Sequence, residues 1–220
     1  MKIAIVGGGI AGIYAAHYLS KNHTVTLYEA NAYLGGHTDT HNIVLNDSNY
    51  AVDTGFIVFN EHNYVHFCSF LSDLGIASQP SDMSFSVSDA ITGMEYNATT
   101  LDKLFCQRRN LLRPKFYRMV LDIVRFYREA PKVLEIDDIQ QTLGEYLSSH
   151  RYSQTFIDDH ILPMACALWS GPPDVLKQFP IRYFVAFMAN HQMLNISERP
   201  LWRTVSGGSA MYVDAFKKQF

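Results

Sequence analysis

The run Ile3-Ala-Ile-Val-Gly7-Gly-Gly9-Ile-Ala-Gly12 constrains this chain more than any other stretch. An apolar strand leads into Gly7-x-Gly9-x-x-Gly12, and a helix follows. In that pattern Gly7 allows the tight turn, Gly9 lets the backbone approach a pyrophosphate, and Gly12 lets the helix pack close to the strand. The helix N-terminus offers free N–H groups and a positive dipole end to phosphates. The next apolar run, Thr24-Val-Thr-Leu-Tyr-Glu29, reads as the parallel partner strand. Glu29 can accept hydrogen bonds from both ribose hydroxyls of an adenosine, and it would repel a 2′-phosphate, which disfavours NADP. A strand before, a helix after and an acid at this distance distinguish a dinucleotide site from an ordinary glycine turn. Gly8, Ile10, Ala11 and Ala30 join the expected binding set by position.

With 220 residues, 48% of them hydrophobic, the chain can build one large domain or two small ones. A net charge of -3 gives no whole-chain signal for nucleic acid. Cys68, Cys106 and Cys166 are widely spaced and odd in number, so they form no disulfide framework and fit a reducing, cytoplasmic compartment. The N-terminus lacks the charged leader and cleavage pattern of a signal peptide. No apolar run is long enough to span a bilayer.

Along the chain, Lys2–Val6 reads as a strand, Ile10–Lys21 as a helix and His23–Glu29 as a second strand. Ile43–Leu45 and Tyr50–Val52 read as a hairpin around Asn46–Asn49. Glu61–Gly75 reads as a helix that stops at Gly75. Short strands are expected over Met83–Val87 and Met94–Tyr96. Helices are expected over Pro114–Ala130, from the capping box Thr142-Leu-Gly-Glu145, over Ser153–Trp169 and over Pro180–Leu194. A strand over Arg199–Val205 and a helix from Gly207-Gly-Ser close the chain. The helix Pro114–Ala130 is expected to bury one broad face of Phe116, Met119, Val120, Ile123, Val124 and Tyr127.

Soon after Glu29 comes Tyr33-Leu-Gly35-Gly36-His37-Thr38-Asp-Thr40. Two adjacent glycines there let the backbone pass close to something bulky, which an NAD enzyme does not require. The segment resembles the glycine-pair motif of flavoproteins in the amine oxidase, phytoene desaturase and protoporphyrinogen oxidase superfamily. Gly35, Gly36 and Thr40 match, while Tyr33 and His37 replace two arginines. Val52-Asp53-Thr54-Gly55-Phe56 resembles the Asp-x-Gly segment that nears the isoalloxazine in that superfamily, and Trp202-Arg-Thr-Val-Ser-Gly207-Gly208-Ser209 resembles the element that returns to the flavin.

Together with Gln107–Leu111, Leu162–Met164, Trp169-Ser170 and Phe179-Pro180, these segments resemble a bacterial family of NAD/FAD-binding, amine-oxidase-like flavoproteins. The resemblance implies an α/β fold: a Rossmann-like FAD-binding domain with a mostly helical substrate-domain insertion. It divides the chain into 1–80 (first part of the FAD-binding domain), 81–198 (substrate or cap domain) and 199–220 (return to the FAD-binding domain). It implies an FAD-dependent oxidoreductase that takes a hydride from a C–H or C–N bond, with a link to fatty acyl desaturation. The implied FAD contacts are Gly7, Gly8, Gly9, Ile10, Ala11, Gly12, Glu29, Ala30, Gly35, Gly36, His37, Thr38, Thr54, Gly55 and Phe56. Family members are longer, so the chain is expected to be an N-terminal half that is inactive alone and prone to self-association. The alternatives are a non-catalytic dinucleotide-binding module and an NAD-dependent dehydrogenase.

Three further features complete the reading. Residues 103–132 hold nine basic residues against Asp122 and Glu129, half of the chain's positive charge. Interleaved with apolar side chains, they suit peripheral contact with an anionic membrane, or else form a solvated helix face over a packed core or pair with acids in the missing half. No motif reads nucleic acid. His37/His41 fall in a glycine loop or strand, where a spacing of four does not bring both rings to one side, and His62/His66, on a helix, lack a third ligand in pattern, so no metal is expected. Trp169, Phe184, Phe187 and Met188 are candidates for an apolar substrate slot or for plain core.

Overall fold

The computed structural model describes residues 1–136, 140–195 and 200–220. The chain forms two compact units, Met1–Asp82 with Pro200–Phe220, and Met83–Arg199. The first unit begins β1 (Lys2–Val6), α1 (Ile10–Leu19), β2 (Thr24–Tyr28), β3 (Thr40–Leu45), β4 (Ser48–Asp53), β5 (Phe59–Asn60), α2 (Val65–Asp73) and β6 (Ser78–Pro80). The second holds β7 (Ser86–Ser88), β8 (Glu95–Asn97), α3 (Leu101–Leu104), α4 (Pro114–Glu129), α5 (Leu143–Ser149), α6 (Gln154–Phe156), α7 (Leu162–Trp169), α8 (Pro173–Lys177) and α9 (Ile181–Asn190). β9 (Trp202–Val205) and α10 (Ala210–Gln219) return to the first unit.

In the first unit β1 and β2 pair in parallel, with Ile3 opposite Val25 and Ile5 opposite Leu27. α1 makes the crossover and turns Ile13 and Ala16, both fully buried, inward. β3 and β4 form an antiparallel hairpin whose turn residues Asn46 and Asp47 both adopt positive φ, which the two-residue turn demands and Asn and Asp tolerate. β9 lies between β5 and β6 in a three-stranded antiparallel sheet. α2 ends where Gly75 takes φ +69°. There the Ile76 amide donates to Leu71 O at 2.8 Å and the Gly75 amide to Ser72 O at 3.0 Å, which is a Schellman cap. Phe59, Phe70, Val205, Tyr212 and Phe216 join Ile13 in one core.

The second unit is mostly helical, with one antiparallel hairpin in which Val87 faces Tyr96. The capping box at Thr142 and Glu145 opens α5. The expected helix over Ser153–Trp169 is interrupted: α6 passes into one π turn over Ile157–Ile161 before α7. α4 buries Phe116, Met119, Phe126 and Tyr127 but leaves Val124 exposed, so its inward face is narrower than the apolar pattern suggests. Phe184 and Met188 are fully buried and the Trp169 ring lies tilted against Phe184 and Phe187, so these side chains pack with one another. The start of the last expected strand, Arg199, lies outside the described residues; the strand itself begins at Trp202. Among the described residues no helix is long and apolar enough to cross a membrane.

Among the described residues of this unit, three polar side chains are buried: Asn110, Asp122 and His160. Asp122 is buried but accepts from the Ser153 amide at 2.9 Å and pairs with Arg118 and Arg125, so its charge is compensated. His160 is fully buried; its Nδ1 meets Tyr96 Oη at 2.8 Å, while Nε2 has no hydrogen-bond partner. Burial pushes its pKa down to about 3, so the imidazole is neutral.

Candidate functional site

The site is built from two glycine loops. In the first, the Gly7 amide donates to Tyr28 O at 2.8 Å, which ties the turn to the end of β2. Gly7 takes φ +99°, a conformation that favours glycine. The Gly8 amide donates to Glu29 Oε2 at 2.6 Å. The other carboxylate oxygen, Oε1, accepts from the Asn31 amide at 2.9 Å and from Asn31 Nδ2 at 3.1 Å. The Asn31 and Gly8 amides hold the Glu29 carboxyl below its usual range. A Cβ on Gly12 would run into the Gly7 carbonyl, so α1 sits against the turn only because residue 12 is glycine.

Gly9 differs from its neighbours. Its φ is −74°, open to any residue, and an added Cβ would meet only Gly36 Cα, at 3.8 Å. Neither backbone conformation nor packing within the chain requires glycine there.

The second loop carries Gly35 and Gly36, with φ +124° and +61°. The Gly35 amide donates to Gly8 O at 2.8 Å, and Gly35 forms a parallel bridge with Gly9. A Cβ on Gly36 would lie 2.9 Å from Gly9 Cα, so the two loops meet backbone to backbone. The segment after β4 closes over this loop. Thr54 donates through its amide to Asp39 O at 2.9 Å and through its hydroxyl to Asp39 Oδ2 at 2.6 Å. That hydroxyl, with His41 beside it, lowers the Asp39 pKa. A Cβ on Gly55 would strike the His37 carbonyl.

Between the loops and α2 opens a cavity of about 410 Å³. Gly9, Ile10 and Ala11 form one side and Gly35, His37 and Thr38 another, with Phe56, Tyr64, Phe67 and Tyr212 supplying aromatic surface. Phe67 packs edge-on against both Phe56 and Tyr212, and Thr38 Oγ1 is hydrogen-bonded to Tyr212 Oη. Gly7, Gly8, Gly12, Glu29, Ala30, Gly36, Thr54 and Gly55 do not line the cavity. Gly8 and Gly36 hold the loops together, Gly12 seats α1, and Thr54 and Gly55 brace the 37–39 segment. Ala30 is exposed beside Glu29.

Tyr64, Phe67 and Tyr212 are cavity residues that sequence reasoning did not single out. Phe67 has the spacing of an ordinary packing residue of a helix. Tyr212 reaches Thr38 across 174 residues, a contact that no local pattern encodes. Asp53 is similarly placed: its Oδ1 accepts from the Ser209 amide at 2.9 Å and from Ser209 Oγ at 2.8 Å, which pins the start of α10. The Gly207-Gly208-Ser209 element therefore abuts β4 and Thr40, and it is Tyr212, one turn later, that reaches the cavity. Among the described residues no group of three His, Cys, Asp or Glu side chains could hold a metal ion.

Residues 5–74 match the family of the NAD(P)-binding Rossmann-like domain. Cyclohexylamine oxidase from Brevibacterium oxydans IH-35A superposes with a TM-score of 0.72 at 18% identity, over 99% of this chain and 49% of that one. A putrescine oxidase redesigned in its cofactor binding, the A394C mutant, gives a TM-score of 0.63 at 19% identity, over 99% of this chain and 48% of that one. An oxidoreductase from Methanosarcina mazei gives 0.58 at 17% identity, over 99% and 48%. The chain thus spans about half the length of the structures it matches. No curated protein matches it. The fold is a Rossmann-like α/β domain with a helical insertion, the arrangement of these amine oxidases.

Proposed function

We propose that the chain is the nucleotide-binding part of an FAD-dependent oxidoreductase. Gly9 carries this reading. Its missing side chain serves nothing within the protein, yet it stands at the edge of a cavity of about 410 Å³ bounded by a second glycine loop. Space kept clear at the N-terminus of a helix suits a pyrophosphate.

Each residue then has a task. The N–H groups of Ile10, Ala11 and Gly12 have no acceptor within α1 and are available to phosphate oxygens. Glu29, ionised and already oriented by the Gly8 and Asn31 amides, retains lone pairs for the ribose hydroxyls. The Gly35 backbone and the Thr38–Tyr212 pair bound the space beyond. Phe56 and Phe67 keep water from it. Bound flavin supplies hydride acceptance, and the protein supplies position and a dry environment.

The substrate in this proposal is a compound oxidised at a C–H or C–N bond. The amine oxidases of like fold support the C–N case, and the resemblance to acyl-desaturating flavoproteins supports a fatty acyl chain. Free Cys68, Cys106 and Cys166 accord with a reducing, cytoplasmic setting.

Titration of FAD into the purified chain, followed by flavin fluorescence anisotropy, tests the cofactor directly and needs no turnover. Saturable FAD binding that Gly9→Ala weakens at least about tenfold is expected, since a methyl group would occupy the phosphate position. Binding of NADH with indifference to FAD would identify the dehydrogenase alternative. Equal FAD binding by the chain and by Gly9→Ala would overturn the assignment.

A further inference from the structure

The helical unit presents a surface that the glycine loops and their cavity do not use. α4 turns Phe116, Met119 and Phe126 into the core. Its opposite face exposes Tyr117, Leu121 and Val124, and the 3-10 turn before it, Arg108–Leu112, adds Leu111 and Leu112. Leu112 is 88% exposed and Leu121 65%, and both border a shallow apolar depression with Tyr117. Lys115, Arg118 and Arg128 stand exposed on the same helix. Of the two acids of α4, Asp122 is buried beneath and engaged by Arg118 and Arg125, and Glu129 at its end is half-buried. What faces water is therefore leucine and cation together.

We propose that this face of α4 docks on an anionic lipid bilayer, with Leu112 and Leu121 entering the acyl boundary and Arg118 and Arg128 meeting lipid phosphates. A helix lying in the interface needs both components: apolar side chains that gain by leaving water, and cations drawn to an anionic surface. A nucleic-acid strand would engage the cations and leave the leucines in water. A second copy on the same face would bring like charges together. The proposal is independent of the nucleotide site, and FAD titration and membrane binding fail separately.

The test is co-sedimentation of the 220-residue chain with vesicles, at low and high salt. One set contains phosphatidylserine in phosphatidylcholine; the other is phosphatidylcholine alone. Binding to the anionic set should exceed the neutral set at least about fivefold and fall with salt. Leu112→Ser with Leu121→Ser should reduce it about as much, and so should Arg118→Gln with Arg128→Glu. All four side chains are exposed, and far-UV circular dichroism checks each fold. If one pair misfolds, the other decides. No binding, equal binding to neutral vesicles, or binding unaffected by the folded pairs would overturn the proposal. So would a leucine pair that dissolves a dimer in gel filtration while vesicle binding stays unchanged.

Discussion

The Glu29 carboxylate accepts the Gly8 amide at 2.6 Å, so the acid that follows β2 also fixes the turn that follows β1. An acid in this position orients the glycine loop before any nucleotide arrives. Glu29→Ala removes that restraint and the ribose acceptor together. FAD affinity should fall about tenfold or more. Glu29→Gln keeps one acceptor oxygen, and its loss should be smaller. Anisotropy titration of the two variants beside the parent chain checks the order, and equal losses would refute the charge-based account.

Gly9 and Gly12 should separate binding from folding. Gly12→Ala places a methyl group on the Gly7 carbonyl, and unfolding stability should drop by about 1–3 kcal/mol. Gly9→Ala meets nothing closer than 3.8 Å, and stability should change by no more than about 1 kcal/mol while FAD binding collapses. Urea unfolding and FAD titration on the same preparations measure both quantities.

His160 makes the helical unit sensitive to acid. Its folded pKa of about 3 lies below the ordinary 6.5, so protonation favours the unfolded chain. The stability that neutral His160 confers is complete above pH 6.5 and is lost as pH falls from 6.5 through about 3. The slope approaches about 1.4 kcal/mol per pH unit, or about 2 kcal/mol lost by pH 5. His160→Phe removes the titrating ring, and Tyr96 Oη keeps its 2.8 Å bond to Asp159 O. Urea titrations at pH 7, 6 and 5 should show a flatter dependence for the variant. Parallel curves would assign the acid sensitivity to other groups.

Asp53→Ala should loosen the start of α10. It removes the acceptor for the Ser209 amide and hydroxyl and for Thr40 Oγ1, at a cost of about 2 kcal/mol. Because α10 carries Tyr212 to the cavity, FAD affinity should weaken as well. Unchanged stability in urea would show that Ser209 finds another cap.

Local chemistry made much of this structure readable. The β1–α1–β2 unit announces itself through glycine spacing and apolar period, the end of α2 through Gly75, and the start of α5 through Thr142 and Glu145. Contacts between distant parts of the chain did not show. Asp122 occupies the core side of α4 with Met119 and Phe126, and its burial depends on Arg118, Arg125 and the Ser153 amide. The π turn at Ile157–Ile161 leaves the apolar pattern of its segment intact, and so it read as uninterrupted helix. Tyr212 and Asp53 were hidden for the same reason, since their partners Thr38 and Ser209 lie more than 150 residues away.

The seam between Gly9 and Gly36 has no side chains to exchange. A side chain at Gly36 would push the two loops apart, and one at Gly9 would enter the ligand space outright, so neither reshapes that space by degrees. Any gradual change in which molecule the cavity accepts must therefore be drawn from its aromatic wall, at Phe56, Tyr64 and Phe67, where side-chain size varies without moving the backbone. One half of the cavity is rigid by composition, and the other is where selectivity can be tuned.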